Sequence, residues 1–177
     1  MAVQLDELDI RILAELLKNG RIPLTKLAKK LRVPRTTVNS RLCKLEELGL
    51  IRRYRAEIAV EKLGYRLTAF VLVKVRRTKP IDGMSNQEVL ARRLVEQTMS
   101  SPHLPWVEEA HIITGEYDLL LKVRASELDQ LTRFLIAYMA THDDVVQTHT
   151  LIALETIHED HSPPLLEKHS ATKKGRS

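Results

Sequence analysis

One stretch near the N-terminus carries hydrogen-bond donors and positive charge along one side of a predicted helix. Residues 34–49 read PRTTVNSRLCKLEELG, and a 3.6-residue period groups the apolar side chains on one stripe: Val38, Leu42, Leu45 and Leu48. The opposite side holds short polar side chains with cations at its borders: Thr36, Asn39, Ser40 and Cys43, with Arg35 and Lys44. Such a side can hydrogen-bond to base edges and attract phosphates, or it can be the solvated face of an ordinary surface helix.

The preceding segments favour the first interpretation. A helix is predicted from about residue 8 to Lys18, because apolar residues recur on one face and a glycine follows. A shorter helix is predicted over 25–31, with Thr25 as its N-cap, and a tight connection leads from it into the third. A helix, a short helix, a turn and a longer helix are the layout of a helix-turn-helix, whose second motif helix enters the DNA major groove.

The reach of each side chain assigns its predicted role. The N-terminal half of a recognition helix lies deepest in the groove, so four residues are candidates for contact with base edges: Arg35, Thr36, Asn39 and Ser40. Five others are predicted to contact phosphates, which fixes register without reading sequence: Thr37, Arg41, Lys44, Arg52 and Arg53. Residues 50–58 carry three arginines and fit a short wing or strand beside the phosphates. For Arg41, an ion pair with Glu46 or another carboxylate is the open alternative.

Charge is divided unevenly along the 177 residues. Residues 1–64 carry 14 Lys and Arg against 8 Asp and Glu, whereas residues 65–164 carry 10 against 14. The last thirteen residues are basic again, with 4 against 1. This pattern predicts a basic module for an anionic polymer, followed by an acidic module with another task.

Composition argues against several classes of protein. No apolar run approaches the ~18 residues of a membrane span, and the start MAVQLDELD lacks the layout of a secretory signal, so we expect a cytoplasmic protein without membrane contact. Cys43 is the single cysteine, which argues against an internal disulfide and a cysteine metal cluster. No metal or cofactor is predicted, because His158 and His161 lie at a polar tail that does not preorganise ligands.

The second half of the chain alternates strand-like and helix-like segments. Strands are predicted at four places: 67–77, 106–113, 119–123 and 145–157. Helices follow capping-box patterns that begin at Ser85 and Ser126. The order β-α-β-β-α-β is the split βαβ, ferredoxin-like pattern. The whole chain is therefore predicted to be an α+β protein, with a winged helix-turn-helix before a ferredoxin-like domain.

Two helices cover only one face of a four-stranded sheet, yet the first predicted strand is apolar on both sides. Ala69, Val71 and Val73 alternate with Phe70 and Leu72. The uncovered apolar face must meet something, and a second copy of the chain gives a symmetric dimer. A dimer also suits the first module, because paired helix-turn-helix units read two half-sites about one DNA turn apart.

Four stretches recur in the order and spacing of a known family: LDELDIRIL, PRTTVNSRLCKLEELGLI, LGY at 63–65 and TGEYDLLLKV at 114–123. Over about residues 5–158 the chain resembles the leucine-responsive and asparagine-operon (Lrp/AsnC) regulators, which are bacterial and archaeal transcription factors. The resemblance implies a C-terminal domain that dimerises through its sheet, often assembles into octamers and senses an amino acid between dimers.

The TGEYD stretch matches the effector loop of that family. The matching residues are Gly115, Glu116, Tyr117 and Asp118. A glycine lets the backbone approach a ligand, and a carboxylate can meet an ammonium group. The hydroxyls of Thr148 and Thr150 are candidate donors for the carboxylate of the ligand. The alternative is that Gly115 and Asp118 merely shape a hairpin turn.

The predicted domains are a DNA-binding module over 1–60, a dimerisation and effector-sensing domain over 61–160 and a disordered basic tail over 161–177. The predicted function is an oligomeric, sequence-specific transcription regulator that binds double-stranded DNA and responds to an amino acid or related metabolite. Haem-pathway decarboxylases resemble the same two-domain arrangement, but residues 110–114 (AHIIT) lack their Tyr/Arg pair, so no enzyme is predicted. An architectural protein that binds all DNA sequences alike is the other alternative.

Overall fold

The computed structural model describes residues 4–78 and 83–160. The chain divides into two compact units between Ile58 and Ala59. The tail predicted to be disordered, residues 161–177, lies outside the described residues. Within the described ranges, no helix is long and apolar enough to cross a membrane.

The first unit is a bundle of three helices. They are α1 (Glu7–Lys18), α2 (Leu24–Leu31) and α3 (Arg35–Glu47). Each helix turns an apolar stripe inward, and the stripes meet in one core: Ile12, Leu27, Ala28, Leu31, Val38 and Leu45. This arrangement confirms the predicted helix-turn-helix, in which α3 is the second motif helix.

Local chemistry sets the ends of these helices. The carboxylate of Asp6 accepts the Asp9 backbone N–H at 2.9 Å, and the carboxylate of Asp9 accepts the Asp6 N–H at 3.2 Å, which closes a capping box on α1. The prediction that Thr25 caps α2 is wrong, because α2 begins directly after Pro23 and has no side-chain cap. Gly49 follows α3 at φ +67°, a left-handed conformation that lets the chain leave the helix.

Residues 50–58 form no strand, although the sequence predicts a wing or strand there. A strand needs a neighbouring strand for its backbone hydrogen bonds. Residues 4–58 contain three helices and no strand that could pair with this segment. The segment is instead irregular and largely exposed.

The second unit is a four-stranded antiparallel sheet with helices. Its main elements in chain order are β1 (Leu67–Val75), α4 (Asn86–Ser100), β2 (Trp106–Ile112), β3 (Leu119–Ala125), α5 (Leu128–Arg133) and β4 (Val145–Ile152). The strand order across the sheet is β2-β3-β1-β4, and every neighbouring pair is antiparallel. The predicted βαββαβ order and the α+β class are therefore confirmed.

The two helix starts in this unit differ. The hydroxyl of Ser85 accepts the Glu88 N–H at 3.3 Å, as the capping-box pattern predicts. The pattern at Ser126 does not form a cap, because α5 begins after Glu127 and has no side-chain cap. Ser126 instead donates its N–H and hydroxyl to the side chain of Gln130, at 2.8 and 3.1 Å.

The helices pack against one face of the sheet. The buried residues on that face form a single core with the helices: Ala69, Val71, Val73, Leu121 and Val123 with Leu90, Leu94, Leu131 and Phe134. Alternate residues of a strand point to opposite faces, so the other residues of β1 lie on the side without helices. We call that side the open face, and the register places these residues near its centre: Phe70, Leu72, Leu120, Lys122 and Leu151.

The last strand is shorter than predicted. β4 ends at Ile152, whereas the apolar pattern predicts a strand to residue 157. Ile152 pairs with Ala69, close to the start of β1, so the residues that follow have little of that strand left to pair with. Leu154 and Ile157 are accordingly exposed.

Candidate nucleic-acid interface and effector loop

Most of the predicted DNA-contact residues are exposed on the first unit. Four of them lie on α3, and we call them the polar strip: Arg35, Thr36, Asn39 and Ser40. Lys44, also exposed, follows Ser40 by four residues on the same helix. Arg52 and Arg53 are exposed after α3, whereas Thr37 and Arg41 are half-buried. Because Val38 is fully buried on the inner side, α3 turns its polar strip to solvent.

The electrostatics of this surface favour an anion. α3 begins at Arg35 and has no acidic residue in its first turn, so the positive end of the helix dipole adds to the side-chain charge. Sequence reasoning left out three further exposed cations on and after α2: Lys26, Lys29 and Arg32. Each of these exposed cations suits contact with a phosphate backbone.

Arg41 is held by two carboxylates of α1. Its guanidinium bonds to Asp6, and its Nη1 lies 3.1 Å from an oxygen of Asp9. This geometry agrees with the ion-pair alternative, although the partners are Asp6 and Asp9 rather than Glu46. The Asp9 N–H, together with Arg41, keeps the pKa of Asp6 below its ordinary value, against the opposing effect of burial. Two carboxylates three residues apart before an apolar run are the sequence signal that could have revealed this cluster.

Tyr54 ties the segment after α3 back to the helical bundle. Its hydroxyl donates to the carboxylate of Glu46 at 2.8 Å. Burial and the neighbouring Glu46 charge raise the pKa of Tyr54 to about 12, so the hydroxyl keeps its proton. This contact holds the backbone that carries Arg52 and Arg53 close to the end of α3.

The predicted effector loop joins β2 to β3. Gly115 is exposed and has φ +124°, a conformation that side-chain-bearing residues rarely adopt. Glu116 is also exposed. Tyr117 is half-buried, and its ring centre lies 6.2 Å from that of His149 on β4. The loop therefore offers one exposed carboxylate and one aromatic contact.

Asp118 is buried and fully engaged inside the second unit. Its Oδ2 accepts the Val75 N–H at 2.8 Å, and its Oδ1 lies 3.5 Å from nitrogens of both Arg77 and Gln87. Its own N–H donates to the carbonyl of Val73 at 2.9 Å. The Val75 N–H, aided by Gln87 and Arg77, lowers the pKa of Asp118 against the effect of burial. These contacts agree with the alternative in which Asp118 shapes the turn.

The structure does not bring the two threonines to the same side as the loop aromatic. Thr148 pairs with Val73 and Thr150 with Val71, so both hydroxyls lie on the side of the sheet that the helices cover. His149 lies between them in sequence and points to the open face, towards Tyr117. A ligand that contacts Tyr117 therefore lies near His149 and not near the two threonine hydroxyls.

The open face carries an ion-pair cluster that sequence reasoning missed. A bulge in β2 sets both Glu108 and Glu109 near Lys122, at 3.1 and 3.4 Å from its Nζ. Arg124 donates to Glu108 at 2.7 Å and to the hydroxyl of Thr68 at 2.9 Å. Burial acts to raise the pKa of Glu108, but Arg124 and Lys122 outweigh it and keep that pKa low. The open face is therefore half apolar and half charged.

Two protein-family models match the chain. The first, described as winged helix-turn-helix DNA-binding, covers residues 5–52. The second, described as Lrp/AsnC ligand binding domain, covers residues 68–163. The first match lies within residues 1–58 of the first compact unit, and the second covers most of the second unit, residues 59–158, and extends five residues beyond it.

Individual relatives extend these matches over nearly the whole length. An uncharacterized HTH-type transcriptional regulator of Pyrococcus abyssi is 39% identical over 160 residues, which are 90% of this chain and 99% of the relative. The HTH-type transcriptional regulator FL11 of the same organism is 34% identical over 165 residues, which are 93% and 99% of the two chains. A solved transcriptional regulator of Neisseria meningitidis, in complex with L-methionine, has a TM-score of 0.75 at 27% identity and covers 92% of this chain and 98% of its own.

These relatives are all described as transcriptional regulators, which does not favour the decarboxylase alternative. Both family models and the four-stranded antiparallel sheet agree with the order of domains derived above. The chain therefore belongs to the Lrp/AsnC family, as a transcription regulator with a helix-turn-helix DNA-binding domain and an Lrp/AsnC ligand-binding domain.

Proposed function

We propose that the polar strip of α3 reads base edges and makes this regulator sequence-specific. The observation that carries the proposal is the exposure of the strip on the second helix of a helix-turn-helix whose other side is buried. Arg35 suits two hydrogen bonds to guanine, and Asn39 suits two to adenine. Thr36 and Ser40 can each add a single hydrogen bond to a base edge.

The surrounding cations hold the phosphates in this proposal. Lys44 borders the strip, and Arg52 and Arg53 follow it on the segment that Tyr54 ties to Glu46. Thr37 contributes a hydroxyl from the half-buried border of α3. Contacts of this kind fix the register on double-stranded DNA and supply affinity that salt screens.

Two substitutions separate reading from anchoring. Arg35→Ala should cost about 1–3 kcal/mol on a DNA duplex that the protein selects from a random pool, and less on a scrambled duplex. Arg52→Ala should weaken both duplexes alike and lower the slope of log affinity against log salt by about one. The control is Arg133→Ala, which removes an exposed cation from α5 in the second unit. Equal losses on both duplexes for Arg35→Ala and Arg52→Ala would contradict the division of roles.

We further propose that the protein is a homodimer joined through the open face, with an octamer as its larger assembly. Phe70, Leu72 and Leu120 supply half-buried apolar surface there. Lys122 and Arg124 already have acidic partners within the chain, so covering them leaves no charge unpaired. A symmetric dimer also presents two copies of α3 to two half-sites.

An amino acid is the proposed effector, bound at the loop of residues 115–118 where two dimers meet. Support comes from the matched ligand-binding domain and from the Neisseria meningitidis relative, which was solved with L-methionine. Because Asp118 is engaged with Val75, the exposed Glu116 is the carboxylate left to accept the ligand ammonium. Backbone N–H groups near Gly115 are proposed donors for the ligand carboxylate.

Tyr117 and His149, which meet on the open face, are the proposed contacts for the ligand side chain, whereas Thr148 and Thr150 lie on the other side of the sheet and are not retained as ligand contacts. A ligand that touches two dimers favours the assembled state only by its difference in affinity between the two states. We propose that the protein acts in the cytoplasm, because the DNA that it is proposed to bind is the chromosome of a bacterial or archaeal cell.

A further inference from the structure

We infer that Arg41 is a positioning residue for DNA reading: held by Asp6 and Asp9, it fixes the orientation in which α3 presents its polar strip, and it is not a phosphate contact. The inference rests on the proposed reading role of that strip. It replaces the phosphate contact that the sequence predicts for Arg41, and it adds Asp6 and Asp9 to the residues on which specificity depends.

The three residues form one connected cluster between two helices. At the start of α1 the carboxylate of Asp6 accepts the Asp9 N–H at 2.9 Å and the carboxylate of Asp9 accepts the Asp6 N–H at 3.2 Å, so both carboxylates are fixed relative to that helix. Arg41 reaches both of them from α3, 32 residues away in sequence from Asp9. The Asp9 side chain is only 1% exposed and that of Arg41 is 32% exposed. The Arg41–Asp9 contact is therefore partly shielded from the solvent that weakens surface ion pairs, whereas the Asp6 side chain is 49% exposed.

This cluster is a directional contact between α1 and α3. The same two helices also pack through apolar side chains, with Ile12 on α1 and with Val38 and Leu45 on α3. Apolar packing is non-directional, whereas charge-assisted hydrogen bonds depend on the placement of both partners. Asn39 and Ser40 directly precede Arg41 in the same helix, so a rotation of α3 at Arg41 moves both of their side chains.

The same geometry argues against a phosphate contact. A phosphate that approached Arg41 would also approach the carboxylates of Asp6 and Asp9, and like charges repel. Drawing Arg41 away would leave the buried Asp9 carboxylate without its cation, which is unfavourable in a protein interior. Lys44, Arg52 and Arg53 are exposed and carry no such cost.

Asp9→Asn gives the sharpest test, because the two accounts predict effects of opposite sign. The substitution removes one negative charge from the DNA-binding unit, so electrostatics alone predicts tighter binding to every duplex. The positioning account predicts that the full-length protein loses roughly tenfold in preference for a duplex it selects from a random pool over a scrambled duplex. The matched control is Glu7→Gln, which removes the same charge from an exposed position in the same turn of α1 and should leave that preference unchanged.

Arg41→Ala and Arg41→Lys complete the test. Arg41→Ala should lower the preference like Asp9→Asn while leaving the salt slope unchanged, and the double variant should be no worse than either single one. Arg41→Lys should restore part of the preference, since an ammonium can still bond to one carboxylate. Circular dichroism spectra and melting curves show whether each variant is folded. DNA binding is then measured far below the melting temperature, which keeps loss of fold separate from loss of orientation.

Two results would overturn the inference. One is a salt slope that falls by about one for Arg41→Ala, as expected for a lost phosphate contact. The other is a preference that Asp9→Asn leaves at the wild-type value. Asn39→Ala in the same assay tests the proposed reading role itself, because an unchanged preference there contradicts the polar strip and not the positioning cluster alone.

Discussion

Leu72→Glu should give a monomer in sedimentation experiments, where the wild type is expected to form the proposed dimer or a larger assembly. Leu72 is half-buried at the centre of the open face, opposite Leu120 on β3 and His149 on β4. In a symmetric dimer a glutamate there is buried twice, and an uncompensated buried charge costs about 3–5 kcal/mol. Because 1.4 kcal/mol is a factor of ten, the association constant of the dimer should fall by about a hundredfold or more.

The choice of Leu72 rather than Phe70 follows from the register. Phe70 lies opposite Lys122, so a glutamate at position 70 would find a cation within its own strand pair. The control is Met99→Glu on α4, where the methionine is 73% exposed. A Leu72→Glu protein that stays folded and dimeric would contradict assembly through the open face.

Asp118→Ala should lower the melting temperature of the second unit and leave the expected effector-induced shift in place. The substitution removes the acceptor of the Val75 N–H, and an unsatisfied buried donor costs about 1–3 kcal/mol. For a unit of about 100 residues, each kcal/mol corresponds to about 4–8 °C. L-methionine, the probe taken from the solved relative, should still raise the melting temperature, because Glu116 and not Asp118 is the proposed ammonium acceptor.

Acid should reproduce the effect of this substitution in the wild type. The folded state lowers the pKa of Asp118, so its stabilising contribution is complete above the ordinary carboxyl pKa of about 4. That contribution is lost as the pH falls through the lower folded-state pKa, and Asp118→Asn should remove this part of the acid dependence. Glu116→Gln, at the exposed neighbour, should keep the melting temperature and lose the L-methionine shift. If the Asp118 variants lost the L-methionine shift and Glu116→Gln kept it, Asp118 would be the ligand contact, and the proposed role of Glu116 would be contradicted.

Local patterns predicted the helices and strands that the structure contains, although not every predicted element forms. The apolar period of residues 34–49, with Pro34 before and Gly49 after, predicts α3 because these signals act within a few residues. The four strands and their helices followed from alternation and from capping patterns, and the βαββαβ order then left one open face. Exposure of the polar strip followed in the same way, since the buried stripe of a helix determines which side remains outside.

The contacts of individual charged residues could not be predicted from local sequence patterns. Arg41 pairs with a carboxylate 32 residues away, and Asp118 accepts from a backbone group 43 residues away. Both partners are brought close only by tertiary packing. A bulge in β2 directs both Glu108 and Glu109 to one side of the strand. Because the bulge shifts the two-residue alternation by one residue, the sequence pattern does not predict the ion pairs of the open face.

Residues 50–58 show how a local preference fails without a partner. Their arginines and β-prone side chains favour a strand, but the first unit has no strand in residues 4–58 to complete the hydrogen bonds. The side chain of Tyr54 takes over the anchoring instead, through Glu46.

The central claim is that this protein reads DNA sequence through α3, and one ratio tests it most directly. The measurement compares dissociation constants of the full-length wild type for a duplex selected from genomic fragments and for a scrambled duplex of equal length and composition, at about 0.15 M salt. We predict that the selected duplex binds about 10³-fold tighter or more, and that Arg35→Ala reduces this ratio while Arg133→Ala leaves it unchanged. A ratio near one at every salt concentration would contradict sequence-specific regulation and identify an architectural DNA-binding protein.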